Sequence, residues 1–378
     1  WHHLFTLPGV FEAQMKTLRD AGWNAVSLDM LYAHMKDGAP LPGKPFVLTF
    51  DDGYLNNWTY AYPIIREYGH RAVVWMTTDF IDPSTTPRPT LEDVRNGRLK
   101  IGELENRGFL SLAEMRKMEE DGTFEVQSHA ATHTWYFSGP RIVDFHRPKG
   151  VEGYRAPPWL AWNRMPQRKH EYMSVALEDE VPWGTPIYEH GKSLVTRRYF
   201  PDDELAARLA MHVERHGGAE FFARPGWRDE LLMLSGGGEE TAGGRYESDE
   251  EFSSRVRSEL VDSREILERS LGKEVAYLCW PGGGINQGLL SLAEVTGYRA
   301  TTSLYQAKGR RNLYGEDPRE INRTGCGAPW QWKGRFIHRT DPGFFIAILE
   351  DFNGDPGAIW KMRAYKLKYI VRCLLGRC

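Results

Sequence analysis

From Phe11 to Ser128 the chain alternates short apolar runs with amphipathic helical stretches, and that rhythm leaves few folds open. FEAQMKTLRDAG carries Phe11, Met15 and Leu18 at helical spacing and stops at Gly22, after which NAVSLD reads as a strand. Pro45 to Phe50 reads as a second strand and RAVVWMTTDF as a third, with NWTYAYPIIREYG between them as a helix with a proline-marked kink or start. SLAEMRKMEEDG is a capped helix: Ser111 is the N-cap, Glu114 follows three residues on, and Gly122 is the stop. TFEVQS is a fourth strand that runs straight into His129. Strands separated by helices pair through crossovers, so the expected architecture is α/β with a parallel sheet.

Two of these strands end on groups that carry chemistry. The run through Val47, Leu48 and Phe50 stops at Asp51 and Asp52, adjacent carboxylates that repel unless a cation or a shared proton relieves them. A solvated Asp-Asp-Gly turn would explain the pair equally well on its own. The strand TFEVQS delivers His129 and His133 in HAATH, four residues apart, a spacing that sets both imidazoles on one side of a turn or short helix. Two histidines and a carboxylate leave a metal with open coordination positions, as hydrolytic and oxygenase sites require. Both elements sit at carboxyl ends of parallel strands, where β/α proteins gather their active sites. With Asp52 on a metal, Asp51 stands beside any bound water and is placed to take its proton.

Composition narrows the partners. A net charge of −3 and a pI near 6.5 show no basic excess, which argues against nucleic acid. The four cysteines, Cys279, Cys326, Cys373 and Cys378, form no Cys-x-x-Cys pair and no disulfide framework, so the redox compartment stays open. No run reaches about eighteen apolar residues, so no membrane span is expected. The chain opens at Trp1-His2-His3 without an initiator Met or a leader, as a processed chain or a fragment would.

From about Trp135 to Asp249 the alternation breaks. This stretch is rich in Pro, Trp and Arg (RAPPWLAWNRMP) and ends in LSGGGEETAGGRY, a glycine run without the Gly-Lys-Ser/Thr of a phosphate loop. It reads as an insertion, and packing within it accounts for Trp159 and Trp162 more simply than stacking on sugar rings. Regular structure resumes with a long helix from Ser248, the strand VAYLCWP, the helix QGLLSLAEVTG and the strand YRATTS. The end, IWKMRAYKLKYIVRCLLGRC, is basic and amphipathic.

TFDDG, HxxxH and the later strand ending in CWPGG resemble the polysaccharide deacetylases, the NodB-homology domain of carbohydrate esterase family 4. The opening is similar to the poly-N-acetylglucosamine deacetylase subgroup, with WHH, FEAQMKTLRDAGWNAVSLDML, PLPGKPFVLTFDDGY and YPIIREYG in that order. The resemblance implies a distorted, incomplete (β/α) barrel of about seven strands with a large insertion. The expected division is residues 1–134 for the first part of the barrel, 135–249 for an insertion near the active site, 250–345 for the second part and 346–378 for the tail. It implies a hydrolase acting on carbon-nitrogen bonds other than peptide bonds, removing N-acetyl groups from an amino-sugar polysaccharide or a glycan precursor. Asp51 would be the general base, with Asp52, His129 and His133 holding one divalent metal: zinc first, with cobalt, nickel, manganese or iron as alternatives. The subgroup's N-terminal Tyr-His maps onto Trp1-His2, making His2 the general acid and His3 its substitute. Pro281 and Gly282 stand where the family has Pro-Tyr, so the Gly282 N–H would help hold the oxyanion, with Trp280 beside it. Arg155 in RAPPW and His338 in FIHR are further candidates. The alternatives are hydrolysis of another amide or an O-acetyl ester, or an inactive carbohydrate-binding barrel. The expected partner is an N-acetylated glycan in the cell envelope or outside the cytoplasm; the tail is expected either to dock on the barrel with its lysines in water or to make peripheral membrane contact.

Overall fold

The computed structural model describes residues 6–238, 240–303, 311–325, 330–332, 335–337 and 340–375. The chain divides into two compact units, one of residues 1–129, 264–280 and 293–378 and the other of residues 130–263 and 281–292.

The first unit is built on a six-stranded parallel sheet: β1 (Leu48–Phe50), β2 (Ala72–Met76), β3 (Phe124–Ser128), β4 (Tyr277–Leu278), β5 (Ala300–Thr302) and β6 (Glu320–Ile321). The strands lie in chain order, each parallel to the last, from Leu48 beside Ala72 through Ser128 beside Leu278 to Thr302 beside Ile321. This is the incomplete barrel that the resemblance implies. Its sheet has six strands where the resemblance implies about seven, and NAVSLD contributes only a two-residue strand, Asn24–Ala25, that pairs separately with Pro45–Phe46. β2 is buried at every position, as a central parallel strand covered on both faces must be.

The sequence explains most of the element boundaries. Pro8 opens the first helix (Pro8–Asp20), where a missing N–H costs nothing, and Phe11, Met15 and Leu18 are fully buried. NAVSLD is a strand only over its first two residues. The Ser27 hydroxyl accepts the Met30 N–H at 3.2 Å and starts a helix, Leu28–Asp37. The third strand likewise gives way after Met76 to a short turn at Thr78–Phe80. Ser111 and Glu114 form the expected capping box on the helix Leu112–Glu120. Glu114 is wholly buried and also receives Arg88 Nε at 2.7 Å. At Asn57–Ala61 the backbone makes a π-turn before the α-helix Tyr62–Glu67, in the segment where Pro63 removes a donor.

The tail is a helix, Ala358–Leu374, packed on the helix Pro342–Phe352. Tyr365 and Tyr369 set their rings edge-on to Phe344, and the Tyr369 hydroxyl accepts the Asp341 N–H at 2.9 Å. No described helix is long and apolar enough to cross a membrane.

The second unit has a core of its own. An antiparallel hairpin pairs Trp135–Phe145 with Pro186–Lys192. Ile142, Phe145 and Tyr188 from it pack with Leu205 and Leu209 of the helix Asp203–Arg215 and with Trp227. Asp202 caps that helix through the Glu204 N–H at 2.9 Å.

Candidate active site

In the first unit, five chemically active side chains stand at or just beyond strand ends. Asp51 and Asp52 come after β1, His129 after β3, Cys279 after β4, and Arg323 two residues after β6. A parallel sheet brings all its carboxyl ends to one edge, so residues distant in sequence meet there.

The turn after β1 is tightly specified. Asp52 takes φ 70° and Gly53 φ 73°, both left-handed. A Cβ at Gly53 would stand 2.1 Å from Met76 Sδ, so the position accepts only glycine as packed. The Leu110 N–H donates to the Gly53 carbonyl at 2.8 Å and pins the turn from outside. A non-glycine residue in this conformation costs on the order of 1 kcal/mol or more, a strain that recurs at functional sites.

Asp51 is gripped by Arg323, whose Nη1 and Nη2 donate to its two oxygens at 2.6 and 3.2 Å. Cys279 Sγ lies 3.9 Å from the same carboxylate. Burial pushes the Asp51 pKa up, but the Arg323 charge and its hydrogen bond, with His129 beside them, hold it well below the usual carboxylate range. Asp51 is therefore ionised, and it is oriented by a two-pronged contact.

Asp52 is buried and pairs with His129, Nε2 to Oδ1 at 3.2 Å. The His129 N–H extends the ladder to the Met76 carbonyl at 2.9 Å, and its Nδ1 bonds the Cys279 carbonyl at 2.6 Å. That second bond makes Nδ1 a protonated nitrogen and turns Nε2 toward Asp52. Burial pulls the ring's pKa down, but Cys279 and Asp52 outweigh it and raise the pKa well above the ordinary value. The pair thus attracts one positive charge into the space between Nε2 and the carboxylate. A buried imidazole nitrogen and carboxylate oxygen at that separation fit a divalent cation in the same place.

The remaining candidates belong to the end of the β4 segment, to the second unit, or to residues outside the described ones. His133 is half-buried at the start of the second unit. Of the turn or short helix that the spacing allowed, HAATH is not the helix, because Ala130 (φ 58°) and His133 (φ 41°) are both left-handed. Its second half is tied within that unit: Thr132 Oγ1 donates to Glu259 at 2.7 Å, and Lys169 Nζ donates to the Thr132 carbonyl at 3.1 Å. Trp280 is buried in the first unit, at the end of the segment that carries Cys279. Pro281 is buried and Gly282 exposed in the second unit, and the Gly282 carbonyl accepts from Lys192 Nζ. Gly282 has φ 53°, a conformation that the family's Tyr would adopt only under strain. Arg155 is exposed in a loop of the second unit. His2, His3 and His338 lie outside the described residues.

Sequence reasoning missed Arg323 and Cys279. Arg323 had one usable signal, its place in EINR just beyond the last strand, where a cation would answer the two carboxylates.

Residues 38–155 match the family model described as polysaccharide deacetylase. A poly-beta-1,6-N-acetyl-D-glucosamine N-deacetylase of Escherichia coli (strain K12) is 29% identical over 124 residues, 32% of this chain and 16% of that protein. Among solved structures, the BpsB deacetylase domain from Bordetella bronchiseptica aligns over 84% of this chain and 83% of its own, with 20% identity and a TM-score of 0.48. IcaB from Ammonifex degensii aligns over 85% and 88%, with 15% identity and a TM-score of 0.42. The match to the polysaccharide deacetylase model thus falls on the segment that carries Asp51, Asp52 and His129.

Proposed function

We propose that the chain is a metal-dependent carbohydrate N-deacetylase that hydrolyses the acetamide of an N-acetylated amino sugar. The observation that carries this reading is the division of labour between two adjacent carboxylates. Asp51 is held ionised by Arg323, and Asp52 faces His129 Nε2 across a space that favours a cation. Asp52 and His129 would hold the metal, and His133, four residues further along the chain, is the proposed third ligand. A bound divalent ion, zinc by its preference for nitrogen and oxygen donors, would polarise the acetyl carbonyl and acidify a water. Asp51 would accept the proton of the attacking water, and Arg323 keeps the carboxylate aimed and its charge balanced. The Gly282 N–H is the proposed donor to the developing oxyanion, and His2 the proposed source of the proton for the departing amine.

Acetate release from short N-acetylglucosamine oligomers, measured after chelation and after adding back single divalent metals, tests the reading. Release is expected only with metal. Release from O-acetyl esters alone would move the activity to the esterases. Binding of oligomers without any release would leave an inactive carbohydrate-binding barrel.

Peripheral membrane contact is part of the same proposal. On the terminal helix Trp360, Leu367 and Leu374 are 69%, 63% and 68% exposed, next to exposed Arg363, Lys366 and Arg372. Lys361 and Lys368 are already paired with Glu350 and Asp341, which weakens the basic face. The full chain is expected to sediment with anionic vesicles at low salt and a Trp360→Gln/Leu367→Gln variant to lose that binding. Equal sedimentation of both forms would remove the helix from any role at a membrane.

A further inference from the structure

The second unit has an open cavity of about 520 Å³ that the deacetylase reading does not use. The volume is within the range of sites for small organic ligands. Its walls are aromatic, with Tyr136, Trp159, Tyr199 and Phe200 among them, and flat rings of this kind pack against the C–H faces of sugars.

Two arginines enter the same wall, Arg164 and Arg198. The Arg198 guanidinium is sandwiched between Tyr136 and Phe200, 4.5 Å from each ring centre. Its neighbour Glu247 does not neutralise it. That carboxylate receives the Arg198 backbone N–H at 2.9 Å, while its oxygens are taken by Arg255 at 2.6 and 3.0 Å. Elsewhere in this unit Arg147, Arg168 and Arg255 are all paired with carboxylates. Among the described residues, neither Arg164 nor Arg198 makes a side-chain hydrogen bond or ion pair, and the nearest acid on the wall, Asp203, falls short of one with Arg164. Burial lowers the pKa of both, the mark of guanidinium groups held partly out of water without a full counter-charge. A further buried donor is left over. Trp159 is 3% exposed, and among the described residues its indole N–H has no hydrogen-bond partner. Buried donors of this kind are rare unless something outside the chain completes them.

We propose that this cavity binds an anionic saccharide, a sugar ring bearing a carboxylate or a phosphate. The aromatic wall takes the ring, and the planar forks of Arg198 and Arg164 take the anionic group, which suits two-pronged recognition of either oxyanion. Net charge on the wall favours an anion, with two arginines against one aspartate.

Isothermal titration of the full chain with trigalacturonate, glucose 6-phosphate, inorganic phosphate and neutral chitotriose tests this. A uronide or the sugar phosphate is expected to bind at least tenfold more tightly than chitotriose and to weaken with added salt. Which of the two binds identifies the anion. Arg198→Gln is expected to weaken that binding at least tenfold, and Trp159→Phe, which keeps the ring and removes the N–H, by several-fold, with acetate release unchanged. Arg164→Gln serves as the second variant if loss of the Arg198 stacking lowers the melting temperature. The proposal is overturned if neutral and acidic sugars bind alike, if no acidic sugar binds, or if inorganic phosphate binds as tightly as the sugar phosphate. Unchanged binding in both arginine variants would overturn it too.

Discussion

Replacing His129 with alanine is expected to strip the chain of its metal and to end hydrolysis while leaving the barrel folded. The imidazole sits one residue past the end of β3, and the ladder bond beneath it is made by the backbone N–H, which alanine keeps. The variant loses the Nδ1 bond to the Cys279 carbonyl and leaves a small buried void, which costs about 1–3 kcal/mol of stability. Its effect on rate is far larger. A polarising metal supplies several kcal/mol to the reaction. At 1.36 kcal/mol per decade, its loss is on the order of a thousandfold or more. Metal content by mass spectrometry and acetate release measured on one preparation check the expectation together. Full activity in the variant would remove His129 from the site.

The second large effect separates the two carboxylates. Asp51→Asn is expected to retain metal and to lose about 10²–10⁴ in rate, because only the proton acceptor is gone. Asp52→Asn is expected to weaken metal binding itself. If both variants lost metal equally, the roles assigned to the two residues would have no basis. Arg323→Gln adds a reading that a merely structural contact would not move. In the folded protein the Arg323 charge holds the Asp51 pKa down against burial, which pushes it up. Removing the arginine leaves the burial effect unopposed by that charge, so the pKa rises toward or above the ordinary value of about 3.9. Since only ionised Asp51 accepts a proton, activity should fall with acidification at a higher pH in the variant than in the wild type. The acid limb of kcat/KM against pH measures this directly, and an unshifted limb would contradict a positioning role for Arg323.

Much of the barrel was legible because its early strands are long enough to show their character. β2 and β3 are five residues each, and the helix Leu112–Glu120 announces itself through Ser111 and Glu114. His129 was readable because it follows such a strand immediately, and Asp51 and Asp52 because they end the apolar run through Val47, Leu48 and Phe50. Arg323 was not, because β6 is two residues long and offers no pattern before it. Cys279 was seen only as part of a motif, since its contribution is a backbone carbonyl to His129, which no side-chain pattern encodes. The helix Pro342–Phe352 was overlooked because Phe344, Phe345, Ala347 and Ile348 are all buried, and a helix apolar on most sides shows no clean 3.6-residue stripe. The stretch from Trp135 read as irregular for the opposite reason. Its hairpin contains register shifts between Phe137 and Ile142 and between Ile142 and Asp144, which break the alternation that marks a strand.

The grip of Arg323 on Asp51 joins residues 272 positions apart. On a ribosome adding about 5–20 residues per second, that interval takes on the order of tens of seconds. For all of that time Asp51 is present and its counter-ion has yet to be synthesised, so the nascent barrel must either leave the carboxylate hydrated or protonate it. Closure of the sheet by its last strand is then the moment at which the base becomes competent. Premature termination before Arg323 should therefore yield a chain that lacks activity and also resists compaction around β1, and such a product is a natural substrate for quality-control proteases.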